Sequence, residues 1–164
     1  MKKSISKALA LALAAFFLFG LAACGASAKA EKFFEQGKAA EEAENIEEAL
    51  AAYSKAVELD PELEDAWFFR GALYDGLGKY ELAVADYGKA IELDPGDDIN
   101  YYMRGVSYEN LGMYSEALVD YSKSIELNPT DAASYEARGY CYEMLGENAL
   151  AEADYAMAVQ LEEG

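Results

Sequence analysis

Pro61, Pro95 and Pro129 stand 34 residues apart, in Leu59-Asp60-Pro61, Leu93-Asp94-Pro95 and Leu127-Asn128-Pro129, and the same spacing carried on reaches Leu161-Glu162-Glu163. A fixed period of roughly 20 to 50 residues marks an array of supersecondary units, none of which can bury its apolar face alone. Counted back from the prolines, the copies begin at Ala30, Glu64, Asp98 and Ala132 and fill 30–164, the fourth ending one residue short.

Within that frame the residue types repeat. The fourth position is Phe33, Trp67, Tyr101 and Tyr135; the eighth is Gly37, Gly71, Gly105 and Gly139. The eleventh reads Ala40, Tyr74, Tyr108 and Tyr142, so the first copy departs there. The twentieth is Ala49, Ala83, Ala117 and Ala151, the twenty-fourth Tyr53, Tyr87, Tyr121 and Tyr155, and the twenty-seventh Ala56, Ala90, Ser124 and Ala158. This pattern resembles the tetratricopeptide repeat, a helix-turn-helix unit. The resemblance implies an all-α fold, a right-handed α-solenoid of four tandem repeats.

Elementary helix geometry agrees. Positions 4, 8 and 11 fall on one stripe of a 3.6-residue helix, and positions 20, 24 and 27 on one stripe of the next. Small residues opposite tyrosines favour close antiparallel packing. Gly78, Gly112 and Gly146 can end the first helices in the left-handed conformation, and the prolines stop the second helices. The first copy has Glu44 in place of that glycine. A solenoid end needs a polar face or a capping helix. The last helix, expected near 149–161, instead carries Leu150, Met157, Val159 and Leu161, part of which is expected to stay exposed.

Residues 1–23 have a different character. Lys2, Lys3 and Lys7 precede an apolar run from Ala8 to Gly20, the architecture of an export signal. The uncharged stretch to Ala23 is 16 residues, short of the ~20 that span a bilayer, although a slightly short membrane anchor is the competing reading. Leu21-Ala22-Ala23-Cys24 resembles the bacterial lipobox, which implies cleavage before Cys24, diacylation of its thiol, and a lipoprotein held on the extracytoplasmic side of a membrane. The expected organisation is a removed signal peptide at 1–23, a lipidated cysteine and short tether at 24–29, and the repeat domain at 30–164. Cleavage would remove three lysines and no acid, taking the net charge from -18 to -21.

That charge bears on partners. With 31 acidic residues against 13 basic ones the chain repels phosphate backbones, so nucleic acid is excluded as a partner. The sequence contains no histidine, the commonest general base and metal ligand. Gly78-Lys79-Tyr80 lacks the rest of a phosphate loop, and Asp94, Asp97 and Asp98 lack calcium-loop spacing. Cys141 occupies a position held elsewhere by Ala39, Leu73 and Ser107, that of a small core residue. No catalytic residue, metal or cofactor is expected.

Two recurrent sets remain. Arg70, Arg104 and Arg138 recur at the seventh position and Asp86, Asp120 and Asp154 at the twenty-third; the first copy has Gln36 and Ala52 and so lacks both. Charges that come and go together predict an ion pair between the two helices of a repeat, against the alternative of an arginine ladder for an anionic ligand. The second set is the stripe at positions 2, 5, 9 and 12, which the resemblance places on the concave groove of the solenoid. Its candidate binding residues are Phe34, Lys38 and Glu41; Asp65, Phe68 and Asp75; Tyr102, Val106 and Glu109; and Glu136, Tyr140 and Glu143. With Glu31 included the stripe carries seven acids and one lysine, and its aromatics lie off the core stripe. The basic clamp by which some relatives hold C-terminal carboxylates is missing. The expected function is a membrane-anchored scaffold that binds a protein or peptide segment with basic and apolar residues. A merely solvated acidic face is the plain alternative for the stripe, and a homodimer formed through the last helix is the alternative function.

Overall fold

The computed structural model describes Gly25 and residues 27–163; Cys24 and residues 1–23, read above as an export signal, lie outside the described residues. Every regular element among them is helical. The chain divides into two compact units. The first, up to Leu63, holds α1 (27–42) and α2 (Ile46–Leu59). The second begins at Glu64 and holds α3 (Glu64–Gly76), α4 (Tyr80–Leu93), α5 (Asp98–Asn110), α6 (Tyr114–Leu127), α7 (Ala132–Met144) and α8 (Asn148–Glu163). Within it α3 packs on α4, α5 on α6 and α7 on α8, and each pair packs on the next through α4 against α5 and α6 against α7. This is a helical stack that grows along one direction, the all-α solenoid expected. One expectation changes: residues 27–29, read as tether, already belong to α1.

The turns follow from backbone chemistry. After α3, α5 and α7 the chain turns at Gly78, Gly112 and Gly146 with φ of 69°, 72° and 83°. The amides of Lys79, Met113 and Glu147 reach back to the carbonyls of Tyr74, Tyr108 and Tyr142, which satisfies the helix ends as in a Schellman turn. Glu44 makes the same turn, with φ 59° and the Asn45 amide on the Ala40 carbonyl. The second helices end at Asp60, Asp94 and Asn128, the residues before the prolines, where the helical conformation is sterically disfavoured. Asp97 and Asp131 then cap α5 and α7 by accepting the amides of Ile99 and Ser134.

Glycine at the eighth position is required by proximity. A Cβ on Gly105 would stand 2.7 Å from Cε1 of Tyr121, and one on Gly139 2.9 Å from Cε1 of Tyr155. The tyrosines at the twenty-fourth position thus press closely against the first helix of their pair. Tyr53, Tyr87 and Tyr121 are completely buried.

Candidate functional site

The recurrent charges meet as expected. Arg70, Arg104 and Arg138 each donate two hydrogen bonds, through Nε and Nη2, to both carboxylate oxygens of Asp86, Asp120 and Asp154 at 2.7–2.8 Å. Each guanidinium also lies between two rings. Arg70 is 4.9 Å from Trp67 and 5.8 Å from Tyr74; Arg104 is 6.0 and 5.9 Å from Tyr101 and Tyr108; Arg138 is 5.6 and 5.9 Å from Tyr135 and Tyr142. The three arginines are therefore structural, and the ladder alternative is overturned. In the first unit the same place is hollow: Phe33, Gln36, Ala40 and Ala52 line an open cavity of about 580 Å³. It exists because the tyrosine, arginine and aspartate that fill it elsewhere are absent.

The stripe of candidate binding residues departs from expectation in its aromatics. Phe34 is only 5% exposed, and its ring packs on Tyr53 at 5.7 Å with the Lys38 ammonium above it at 5.4 Å. Phe68 packs on Tyr87 and Tyr102 on Tyr121, each at 5.6 Å. These three belong to the core margin instead of lying off it, because a fifth-position side chain falls directly over the buried tyrosine ring. Phe34 is accordingly corrected from a binding residue to a packing residue.

The acids at the twelfth position are also engaged. Glu41, Glu109 and Glu143 accept the hydroxyls of Tyr53, Tyr121 and Tyr155 at 2.8, 3.0 and 3.0 Å. Asp75, one methylene shorter, accepts Ser107 Oγ at 2.8 Å instead, and the buried Tyr87 hydroxyl has no partner. Burial drives the Tyr121 hydroxyl far above its ordinary pKa, and the adjacent Glu109 adds to the shift. The Tyr155 hydroxyl is pushed up to about 12 by burial and by its bond to Glu143. Sequence reading overlooked this pairing, although the acid and the tyrosine recur 12 residues apart in all four copies.

In the second unit the structure brings five of the candidates together. Tyr102, Val106 and Glu109 of α5 and Glu136 and Tyr140 of α7 line a cavity of about 410 Å³, together with Ala133, Ala137 and the edges of Tyr121 and Tyr155. Tyr140 is 40% exposed, and its ring meets Tyr114 edge-on. Asp65, Phe68 and Asp75 on α3 and Glu143 on α7 lie outside that lining, and Phe34, Lys38 and Glu41 belong to the first unit. Ile99, 52% exposed, borders a neighbouring hollow with Tyr102 and Asp131.

Two further features bear on function. Cys141 is buried against α6 and Glu109, and burial followed by that carboxylate raises its thiol to about 12, so it is a core residue and not a nucleophile. On α8, Leu150, Met157 and Val159 are exposed as expected. The α8 positions equivalent to Tyr114 and Leu118, which hold α7 against α6, are the polar Asn148 and Glu152. No group of three or more His, Cys, Asp or Glu among the described residues could hold a metal ion, and none of the described helices is long and apolar enough to cross a membrane.

Models of the tetratricopeptide repeat match residues 64–97 and 101–131, 31–78, and 121–153, which together span three quarters of the chain. Among solved structures, a crystal structure of MamA superposes with a TM-score of 0.79 at 25% identity, over 82% of this chain and 78% of that one. MamA residues 41 to the end from Desulfovibrio magneticus RS-1 give 0.77 at 19% identity, over 82% and 76%. The Arabidopsis OM64 TPR domain gives 0.68 at 24% identity, over 72% of this chain and 98% of that domain. No curated protein matches the chain.

Proposed function

The chain belongs to the tetratricopeptide-repeat family, and from that premise we propose that it is a protein-interaction scaffold whose α3, α5 and α7 face binds an extended or helical segment of another protein. The α5/α7 cavity carries this reading, because aromatic walls beside carboxylates supply both contact area and orientation for such a segment. The partner segment combines apolar residues with basic ones, in keeping with a chain of net charge -18. Attached through Cys24 to the outer side of a bacterial membrane, the scaffold would collect envelope proteins close to the bilayer, since only a short stretch separates Cys24 from α1.

The test is capture from the native envelope with the wild-type chain and with a variant carrying Asp65→Lys and Ile99→Lys. Both sites are exposed and outside the cavity lining, so folding should persist. A partner that binds the wild type, weakens as salt rises and is lost on the variant supports the reading. Equal capture by both would count against it. Sedimentation of the chain alone examines self-association through Leu150, Met157 and Val159 of α8.

A further inference from the structure

The chain shows by its own example how it holds an arginine: between two aromatic rings, with a carboxylate bonded to the guanidinium edge. That arrangement occurs three times, at Arg70, Arg104 and Arg138, with ring distances of 4.9–6.0 Å. The α5/α7 cavity repeats the ingredients without the cation. Tyr102 and Tyr140 stand in its walls, and Glu109 and Glu136 bring two carboxylates to it. The described basic residues of the second unit are committed elsewhere. The three arginines pair with aspartates, Lys89 and Lys123 pair with Glu92 and Glu126, and Lys79 lies over Tyr74. The cavity thus has a negative lining with no basic residue of the unit to neutralise it.

We propose that this cavity is an arginine socket: the guanidinium of one arginine on the bound segment enters between α5 and α7, lies against Tyr102 and Tyr140, and pairs with Glu136 and Glu109. The proposal rests on the reading of this face as a protein-binding surface and deepens it by naming the anchor. A planar guanidinium satisfies such a site better than an ammonium, because it stacks on aromatic faces, presents a fork of donors and is more weakly hydrated. Glu136 is exposed and bonded to no other described residue, so it is available to the incoming fork; Glu109, already accepting Tyr121, supplies charge from the floor. The field is felt by the walls: burial, then Asp131, Glu109 and Glu136, raise the Tyr102 hydroxyl above its ordinary pKa. Asp131 itself is occupied as the cap of α7.

The experiment uses the full chain with Cys24→Ser and three acetylated pentapeptide amides, Gly-Leu-X-Leu-Gly, in which X is arginine, lysine or citrulline. Citrulline keeps the planar shape and removes the charge. Nuclear magnetic resonance titration should shift the Val106 and Tyr140 signals with the arginine peptide, which should bind about tenfold more tightly than the citrulline peptide. The lysine peptide should fall between them. Glu136→Gln should erase most of the arginine preference, and Tyr140→Ala should weaken arginine and lysine peptides alike, while thermal melts show both variants folded. Equal binding of arginine and citrulline peptides, or an arginine preference untouched by Glu136→Gln, would overturn the socket. Because the capture variant changes Asp65 and Ile99 and leaves the cavity intact, a partner lost on that variant alongside an absent arginine preference would sink the socket and keep the binding face.

Discussion

Tyr121 donates its hydroxyl to Glu109 Oε2 across 3.0 Å, whereas Tyr87, the same residue one repeat earlier, has a buried hydroxyl with no acceptor. The difference is one methylene, because the acid facing Tyr87 is Asp75. A buried donor left unsatisfied costs on the order of 1–3 kcal/mol. Asp75→Glu should therefore stabilise the second unit, by about 1 kcal/mol after the Ser107 contact is weakened. Glu109→Asp should destabilise it by a similar amount. Urea denaturation of the two variants checks both signs, and the same sign in both would refute the acceptor-length account.

How much of this could be read beforehand depends on the distance a relationship spans in the chain. Helix boundaries, the glycine turns and the Arg104–Asp120 pair were legible because each recurs at a fixed place in a 34-residue period. The role of Phe34, Phe68 and Tyr102 was not. A helical wheel separates the fifth position from the core stripe by roughly 100° per residue, but a tyrosine ring is wide enough to reach under both. The α5/α7 cavity was half legible: the sequence placed its α5 and α7 stripe residues on one face. That they enclose a volume, with Tyr121 and Tyr155 at the edges, depends on how closely successive pairs pack.

The Arg104–Asp120 pair is bidentate, and Asp120 is 2% exposed. Removing one partner strands the other, and for a buried pair that costs roughly 3–5 kcal/mol. Arg104→Ala and Asp120→Ala should each destabilise folding strongly, with Arg104→Ala the worse because it leaves a buried carboxylate. The double variant should cost clearly less than the two single losses together. A double-mutant cycle measured by denaturation decides it, and additive losses would refute coupling.

Glu44 holds φ at 59°, a conformation that Gly78, Gly112 and Gly146 adopt in the other copies. A non-glycine side chain in the left-handed region is strained by roughly 1 kcal/mol. Glu44→Gly should raise the stability of the first unit by up to about that amount, offset in part by the greater freedom of glycine in the unfolded chain. Gly112→Ala should lower the stability of the second unit. Hydrogen exchange resolved by residue separates the two units and reads both effects.

The proposed membrane attachment is made through Cys24. If its thiol is acylated at a new amino terminus, the chain isolated from its native envelope should carry acyl mass on Cys24 and begin there. Cys24→Ser should leave unprocessed precursor or soluble material. Mass spectrometry of the amino-terminal peptide reads the difference, and a mature chain that starts elsewhere without acyl mass would refute the anchor.

Two carboxyls give the second unit a pH dependence whose sign can be worked out. Burial holds Asp75 above the ordinary carboxylate range, with the Ser107 hydroxyl opposing it. Burial also raises Glu64, against the Asn100 amide that bonds to it and with Asp65, Asp97 and Asp94 adding repulsion. A carboxyl raised on folding keeps its proton to higher pH in the native state than in the unfolded chain. The stability it confers is full below the unfolded pKa, about 4, and is lost as pH climbs through the raised folded value. The melting temperature should therefore fall as pH climbs from about 4 through the raised folded values. General repulsion in a chain of net charge -18 contributes with the same sign, so the slope of the wild type alone does not isolate the pair. Glu64→Gln with Asp75→Asn keeps an oxygen to accept Asn100 and Ser107 while removing both titrations. That variant should be more stable than the wild type at pH 7 and should show a flatter fall as pH climbs from about 4, as read by calorimetry. An unchanged slope would mean that neither carboxyl is perturbed by its burial.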